Sequence, residues 1–394
     1  MSALAGTGQR VSLLVSTVVM TTAALSGFHL DGDAQGRSTL TWQGYTRDAK
    51  VIRVADVRNG RLGPTTELWR GKGIGANGTV DSLDVSPGGA AVVCLRTTTR
   101  KREWSDFVVR RPPGGTWGKP IRIPIKVRDE LVCATDDAGR VTLAWGLGGP
   151  AKVAVIDVDG RFQGPAKIAP HVTGGPLLAV SGAGAVTIAY TVDRADRIVY
   201  VAQPGPGGWI RRALGTGWLP ELAVDGTGRA VLGWSGRETD RRLWFAAGPA
   251  FAPETLSSDP RTSLGDVAAG ARGDVLVGWE TDAATNSSGA RELRVALQRP
   301  GEPFAAPVTL GPRGSLLDLE LAADGTGAAT YWTGGWRNPK PVLRRLIADG
   351  SWTPAERLPS IEMELVAAPG GRLVAAWETL RRDGREVLTV GEFG

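Results

Sequence analysis

The chain is poor in the residues that most often carry chemistry. Its 394 residues include two histidines and two cysteines, too few for a histidine-rich metal site or a disulfide framework. Cys94 and Cys133 lack metal-ligand spacing and read as two small buried apolar residues, the alternative being a disulfide between neighbouring units. Lysine is scarce beside arginine, and no basic run exceeds RTTTRKR at 96–102, so the net charge of +6 is scattered and nucleic acid is not an expected partner. The least charged stretch, residues 11–30, is broken by Ser and Thr, which argues against a membrane span. There is no G-x-S-x-G elbow, and no histidine is placed by a motif. No nucleophile declares itself, and neither a metal nor a cofactor is expected.

What is present is turn chemistry and tryptophan. Gly 55 and Pro 25 make a turn-rich chain short of low complexity, and 14 Trp argue against disorder. One phrase recurs eight times. LAVDGTGRAVLGWSG (222–236) has counterparts in HLDGDAQGRSTLTWQG (29–44), SLDVSPGGAAVVCLRT (82–97) and DVAAGARGDVLVGWET (266–281). Aligned on a Gly six residues before an aromatic, the aromatic position runs Trp42, Leu95, Trp145, Tyr190, Trp234, Trp279, Trp332 and Trp377, at spacings of 44 to 53 residues. In the seventh unit the gap shrinks by one, which predicts a slip or bulge.

Each unit reads as an apolar strand, a D-G-T-G type turn and a strand apolar on both faces, such as RAVLGW. After a polar loop come a third strand and a fourth element with an aromatic or Leu just before Pro, as at Phe162 and Pro165 or Trp352 and Pro354. A strand greasy on both faces must be covered on both, and Pro is best tolerated at a sheet edge. These features predict an all-β fold, a β-propeller of about eight four-stranded blades, or seven if the last unit is incomplete. The units start near 28, 82, 131, 177, 222, 266, 319 and 364, and residues 28–394 form one domain.

The string V-D-x-x-G-x-A-x-x-x-W, followed by R-x-x-V-A and P-x-G-G-x-W-x-x-P-x-x-L, resembles the repeat of bacterial, usually exported, β-propeller proteins of unassigned function. The resemblance implies the fold and favours export; it implies no activity. The Gly-His and Trp-Asp pairs of WD repeats are absent.

The eighth unit ends with three strands. Residues 1–27 are either its missing outer strand, since QRVSLLV (9–15) resembles AAPVTLG (305–311), or a signal peptide with Arg10 and a small-x-small site at Ala24 and Ser26. GIGANG (73–78) lacks the strand and helix of a dinucleotide fingerprint and reads as a loop. DGDAQG (31–36) begins like a calcium loop, but Trp42 stands where a bidentate Glu is needed. Its Asp residues are expected to hydrogen-bond their own turn. Asp33, Asp136, Asp137, Asp225 and Asp324 read as equivalent turn residues that the ring spreads apart, and the S-x-D-x-G-x-x-W box of sialidases is missing.

The loops joining second to third strands, among them QGYTRDAK (43–50), RTTTRKREW (96–104) and TGGWRNPK (333–340), gather Arg and aromatics on one face. Such groups suit carboxylated or hydroxylated ligands through bidentate hydrogen bonds and stacking. The expected function is a non-catalytic binding or scaffolding ring that holds a polysaccharide or a protein partner on this face. Tyr45, Trp104, Arg194, Arg237, Trp336 and Arg382 are its candidate ligand-binding residues. The alternative is a glycan-active hydrolase or lyase at the central channel; it requires converging acids, and the sequence shows no such pair. A purely structural envelope component is the third possibility.

Overall fold

The computed structural model describes residues 13–17, 25–46, 49–72, 77–98, 103–127, 129, 131–192, 197–237, 240–259, 261–282, 291–312, 314–333, 339–360, 363–380 and 386–393. Every regular element among them is a strand. They form eight antiparallel sheets in chain order, an eight-bladed β-propeller. The innermost strands are Leu25–Gly32, Asn77–Val85, Leu131–Thr135, Leu177–Val180, Trp218–Val224, Thr262–Ala269, Gly314–Leu321 and Met363–Ala368. The second and third strands lie outward of each, and the fourth is outermost, where Pro costs no ladder hydrogen bond. Blade 1 breaks its outer strand at Gly63 and Pro64, so that Arg61–Leu62 and Thr66–Lys72 both pair with Ala49–Arg58. In blade 8 the outer place is taken by Leu13–Thr17, which pairs antiparallel with Glu386–Phe393 from Leu13 opposite Phe393 to Thr17 opposite Thr389.

The core is a circle of seams. Eight buried apolar clusters occur among the described residues, one at each junction, and each holds the aromatic-position side chain of one blade against the blade before it. Trp42 packs on Val366, Val374 and Ala376 of blade 8, and Trp234 on Val199, Val201 and Leu214 of blade 4. Burying one such side chain is worth about 2–3 kcal/mol. A lone blade has two greasy faces and no partner, so the ring is the smallest stable object.

The turn between first and second strands shows why the repeat reads as it does. In blade 5 the Asp225 N–H donates to the Arg229 carbonyl (3.0 Å) and the Gly228 N–H to the Asp225 carbonyl (2.9 Å). This is a three-residue hairpin whose fourth position needs positive φ; Gly228 has φ 87°. Asp225 Oδ1 accepts the Thr227 and Arg229 N–H groups, and Asp33 and Asp136 do the same in their blades. Asp137 and Asp324 sit one and two places further along: Asp137 accepts the Gly88 N–H of blade 2, and Asp324 Oδ2 the Gly370 N–H of blade 8. The five aspartates therefore differ in place and role. Asp31 departs from the expectation too, because beside its neighbour Gly32 it bonds Val85 of blade 2.

The turn glycine also corrects the seventh unit. Gly325 (φ 80°) occupies the turn position, and six residues on stands Tyr331, 2% exposed and packed in the seam. Its hydroxyl donates to the Leu310 carbonyl of blade 6 (3.2 Å). Tyr331, not Trp332, is the aromatic of blade 7, and the spacing never shrinks. The irregularity lies upstream, between Leu316 and Asp318 of the inner strand. Similar bulges fall early in the inner strands of blades 1, 2, 5 and 6. They break the alternation by which a strand start is read, so these strands begin upstream of their apolar runs.

Turns of adjacent blades approach closely. A Cβ on Gly226 would lie 2.1 Å from the Ala271 carbonyl oxygen of blade 6, a backbone atom that cannot swing away. Gly226→Ala is expected to cost about 1–3 kcal/mol through overpacking. Thermal unfolding followed by circular dichroism checks this, and an unchanged midpoint would show that the turns do not touch.

Candidate functional site

The inner strand of each blade is paired on one side only. Its other edge carries unpaired N–H and C=O groups toward the channel, which must find partners. Carboxylates of the preceding blade supply many of them. Asp31 Oδ2 accepts the Val85 N–H, Asp84 Oδ2 that of Thr135 and Asp266 Oδ2 that of Leu319, each at 2.7 Å. Glu320 Oε2 accepts the Ala367 N–H at 3.3 Å, and Glu364 Oε2 accepts the Leu30 N–H across the seam that closes the ring.

These acids stand two or four residues before the turn. With Glu221 and Asp318 they form a continuous arc over blades 5, 6, 7, 8, 1 and 2, while blades 3 and 4 carry Val132, Ala134, Leu177 and Ala179 at the same places. One side of the channel wall is acidic, the other apolar.

Crowding like charges in a half-buried arc raises their affinity for protons. Burial lifts Asp31 to about 7 and Glu320 to about 8, their carboxylate neighbours adding to it. Burial and then Asp266 bring Glu221 to about 7. Asp84 and Asp318 are pushed well above the carboxylate range, first by burial and then by Asp31 and Glu320 respectively. Asp266 and Asp318 hydrogen-bond each other, which two carboxyls do only by sharing a proton. Asp266 already accepts two backbone N–H groups, from Val267 and Leu319. Asp266 is therefore the better-stabilised anion of the two, and Asp318 holds its proton more tightly. At the closing seam His29 Nδ1 lies 3.5 Å from Glu364 Oε1; burial opposes its protonation, but Glu364 together with the Val80 backbone and Asp81 outweighs this and its pKa is raised. The arc is thus a store of protons that titrates near neutrality and gains negative charge as pH rises.

Of the candidate binding residues, Tyr45 ends the second strand of blade 1 and is 37% exposed; Trp104 opens the third strand of blade 2 and is 58% exposed. Lys50 Nζ stands 5.3 Å over the Tyr45 ring and donates to Asn77 Oδ1 of blade 2 at 2.7 Å, joining the two blades on this face. Arg237 ends the second strand of blade 5, across the ring, opposite Asp240. Arg194, Trp336 and Arg382, with most of the loops that carry them, lie outside the described residues, as do residues 73–76 of GIGANG. Near the blade connections Arg197 stacks 5.6 Å over Trp218, and Trp69 packs on Gly78.

Sequence reasoning missed the acidic arc. It looked for carboxylates at the turn and not two and four residues before it, where SLDVS, PELAVD, LELAAD and MELVA each carry one.

No protein-family model and no curated protein matches this chain. Solved structures do. A eukaryotic initiation factor superposes with a TM-score of 0.55 at 10% identity, covering 95% of this chain and 86% of that one. A prolyl endopeptidase gives 0.54 at 14%, covering 92% and 56%, and a post-proline cleaving enzyme from Rickettsia typhi 0.50 at 9%, covering 93% and 57%. The chain spans little more than half the length of the two peptidases. At these identities the likeness is one of fold, and the fold they share with this chain is the β-propeller.

Proposed function

We propose that the protein is a non-catalytic binding ring that holds a polysaccharide or a protein partner on the face where the second-to-third strand loops emerge. The observation that carries this is the pair of exposed aromatics, Tyr45 and Trp104, on adjacent blades that the buried Lys50 ties together beneath the Tyr45 ring. Exposed aromatic plates suit the apolar face of a sugar ring or the side chains of a partner. The channel acids support it from the other side: five of them spend an oxygen on the backbone of the next blade, the work of a structural brace.

The resemblance to exported propellers favours a place outside the cytoplasm on this reading, with the closing strand retained. Without Leu13–Thr17, Glu386–Phe393 would present an open sheet edge. Among the described residues no helix is long and apolar enough to cross a membrane.

One observation favours a second reading, a glycan-active hydrolase or lyase in the channel: Asp318, whose pKa is pushed well above the carboxylate range, stands beside Asp266, with Glu221 nearby, a pairing of the kind that acid–base chemistry uses. A single preparation separates the two. On a glycan array and in partner capture, Tyr45→Ala/Trp104→Ala is expected to lose at least about tenfold in binding, about 1.4 kcal/mol, with an unchanged unfolding midpoint. Binding that survives the double substitution removes the first reading. Release of reducing ends or unsaturated sugars by the wild type, abolished by Asp266→Asn, would establish the second.

A further inference from the structure

We propose that Cys94 and Cys133 are a redox-active dithiol that closes to a disulfide and staples blade 2 to blade 3. Cys94 lies in the second strand of blade 2, directly opposite Ser82 of the inner strand, and side chains paired in this way share one face of a sheet. Ser82 Oγ lies 3.1 Å from Cys133 Sγ and accepts the Cys133 N–H at 3.0 Å. Ser82 thus brings both thiols to one point of the seam between the blades. The two side chains are 0% and 2% exposed, within one apolar cluster. They are the only cysteines in the chain, so no competing pairing exists.

The co-reactant is a small disulfide such as oxidised glutathione. One cysteine, as thiolate, attacks a sulfur of the small disulfide; its S–S bond breaks, and one small thiolate leaves and takes up the proton. The second cysteine, deprotonated in turn, attacks the mixed disulfide, forms the Cys94–Cys133 bond and expels the second small thiol. Two electrons pass from the cysteines to the small disulfide, and two thiols are released. Burial pushes the Cys94 thiol well above its ordinary range, its contact with Cys133 adding to it. The thiolate therefore forms when the seam opens or while the chain folds, and reaction with the closed ring is slow. The bond closes a loop of about 40 residues, long enough for the cross-link to restrict the unfolded chain substantially.

The test uses the full chain in two arms, one folded and one refolding, each incubated with oxidised glutathione. Samples are acid-quenched, unfolded, alkylated and weighed. The expected result in at least one arm is loss of both reactive thiols, no retained glutathione, and a dithiothreitol-sensitive peptide linking the segments around Cys94 and Cys133, with a higher unfolding midpoint than the reduced protein. Cys133→Ser, or Cys94→Ala should that variant fail to fold, is expected to keep one alkylatable thiol or one glutathione adduct and to show no midpoint gain on oxidation. Two alkylated cysteines in both arms, or stable glutathione adducts on both, would overturn the proposal.

Discussion

Trp234→Ala is expected to lower the stability of the ring by about 3–5 kcal/mol, the usual cost of removing a fully buried large aromatic. Trp234 is 1% exposed, fills the seam between blades 4 and 5 and stacks on Trp244 with centroids 6.2 Å apart. Its removal leaves a cavity between two sheets whose facing side chains fill the seam. Because each blade depends on both neighbours, the loss is felt around the whole circle. Trp234→Phe should cost much less: the indole Nε1 has no hydrogen-bond partner among the described residues, so the ring loses volume and no bond. Guanidinium unfolding of the two variants beside the wild type decides the matter. Equal midpoints for Trp234→Ala and wild type would mean that the seams do not hold the fold.

Stability is expected to fall as pH rises from about 5 to about 8.5 and then to level off. The sign follows from the channel acids. Asp31, Glu221 and Glu320 have native pKa values of about 7, 7 and 8, whereas an unfolded chain titrates them near 4. Between those limits the folded protein binds more protons than the unfolded one. Each such group then withdraws up to about 1.4 kcal/mol per pH unit, reduced by water in the channel, which screens the charges. The contribution is whole below the unfolded value and gone above the native one. His29 acts in the same direction, since its raised pKa is also lost as pH increases. Glu320→Gln keeps an oxygen for the Ala367 N–H, and Asp318→Asn keeps a donor for Asp266. Both should flatten the dependence and raise the midpoint at pH 8.5. A midpoint that climbs through this range in the wild type would contradict a proton-holding arc.

Both effects arise from the contrast between what is periodic in this chain and what is not. The turn glycine, the aromatic six residues later and the two-faced second strand recur because every seam is the same packing problem. A repeated problem writes a repeated answer, legible in one dimension. Blade number, chain order in each sheet and the outer place of the Pro-containing strand were readable for that reason. Where two aromatics stood side by side, as at Tyr331 and Trp332, the pattern could not choose. The side chain facing blade 6 decided it, a fact about the other sheet.

The candidate site was less legible. Tyr45 and Trp104 could be chosen from loop chemistry, yet the tie between their blades through Lys50 and Asn77 depends on two blades standing next to each other. The acids of the channel are scattered from Asp31 to Glu364, and their shared place two or four residues before the turn does not by itself show that they face one another across the seams. Local sequence determined the blades, because hydrogen bonds and apolar periodicity act over a few residues. Only closure of the ring placed seven carboxylates of six blades on one wall and two thiols at one seam, because their proximity and the proton affinity that follows from it are set by distances through space.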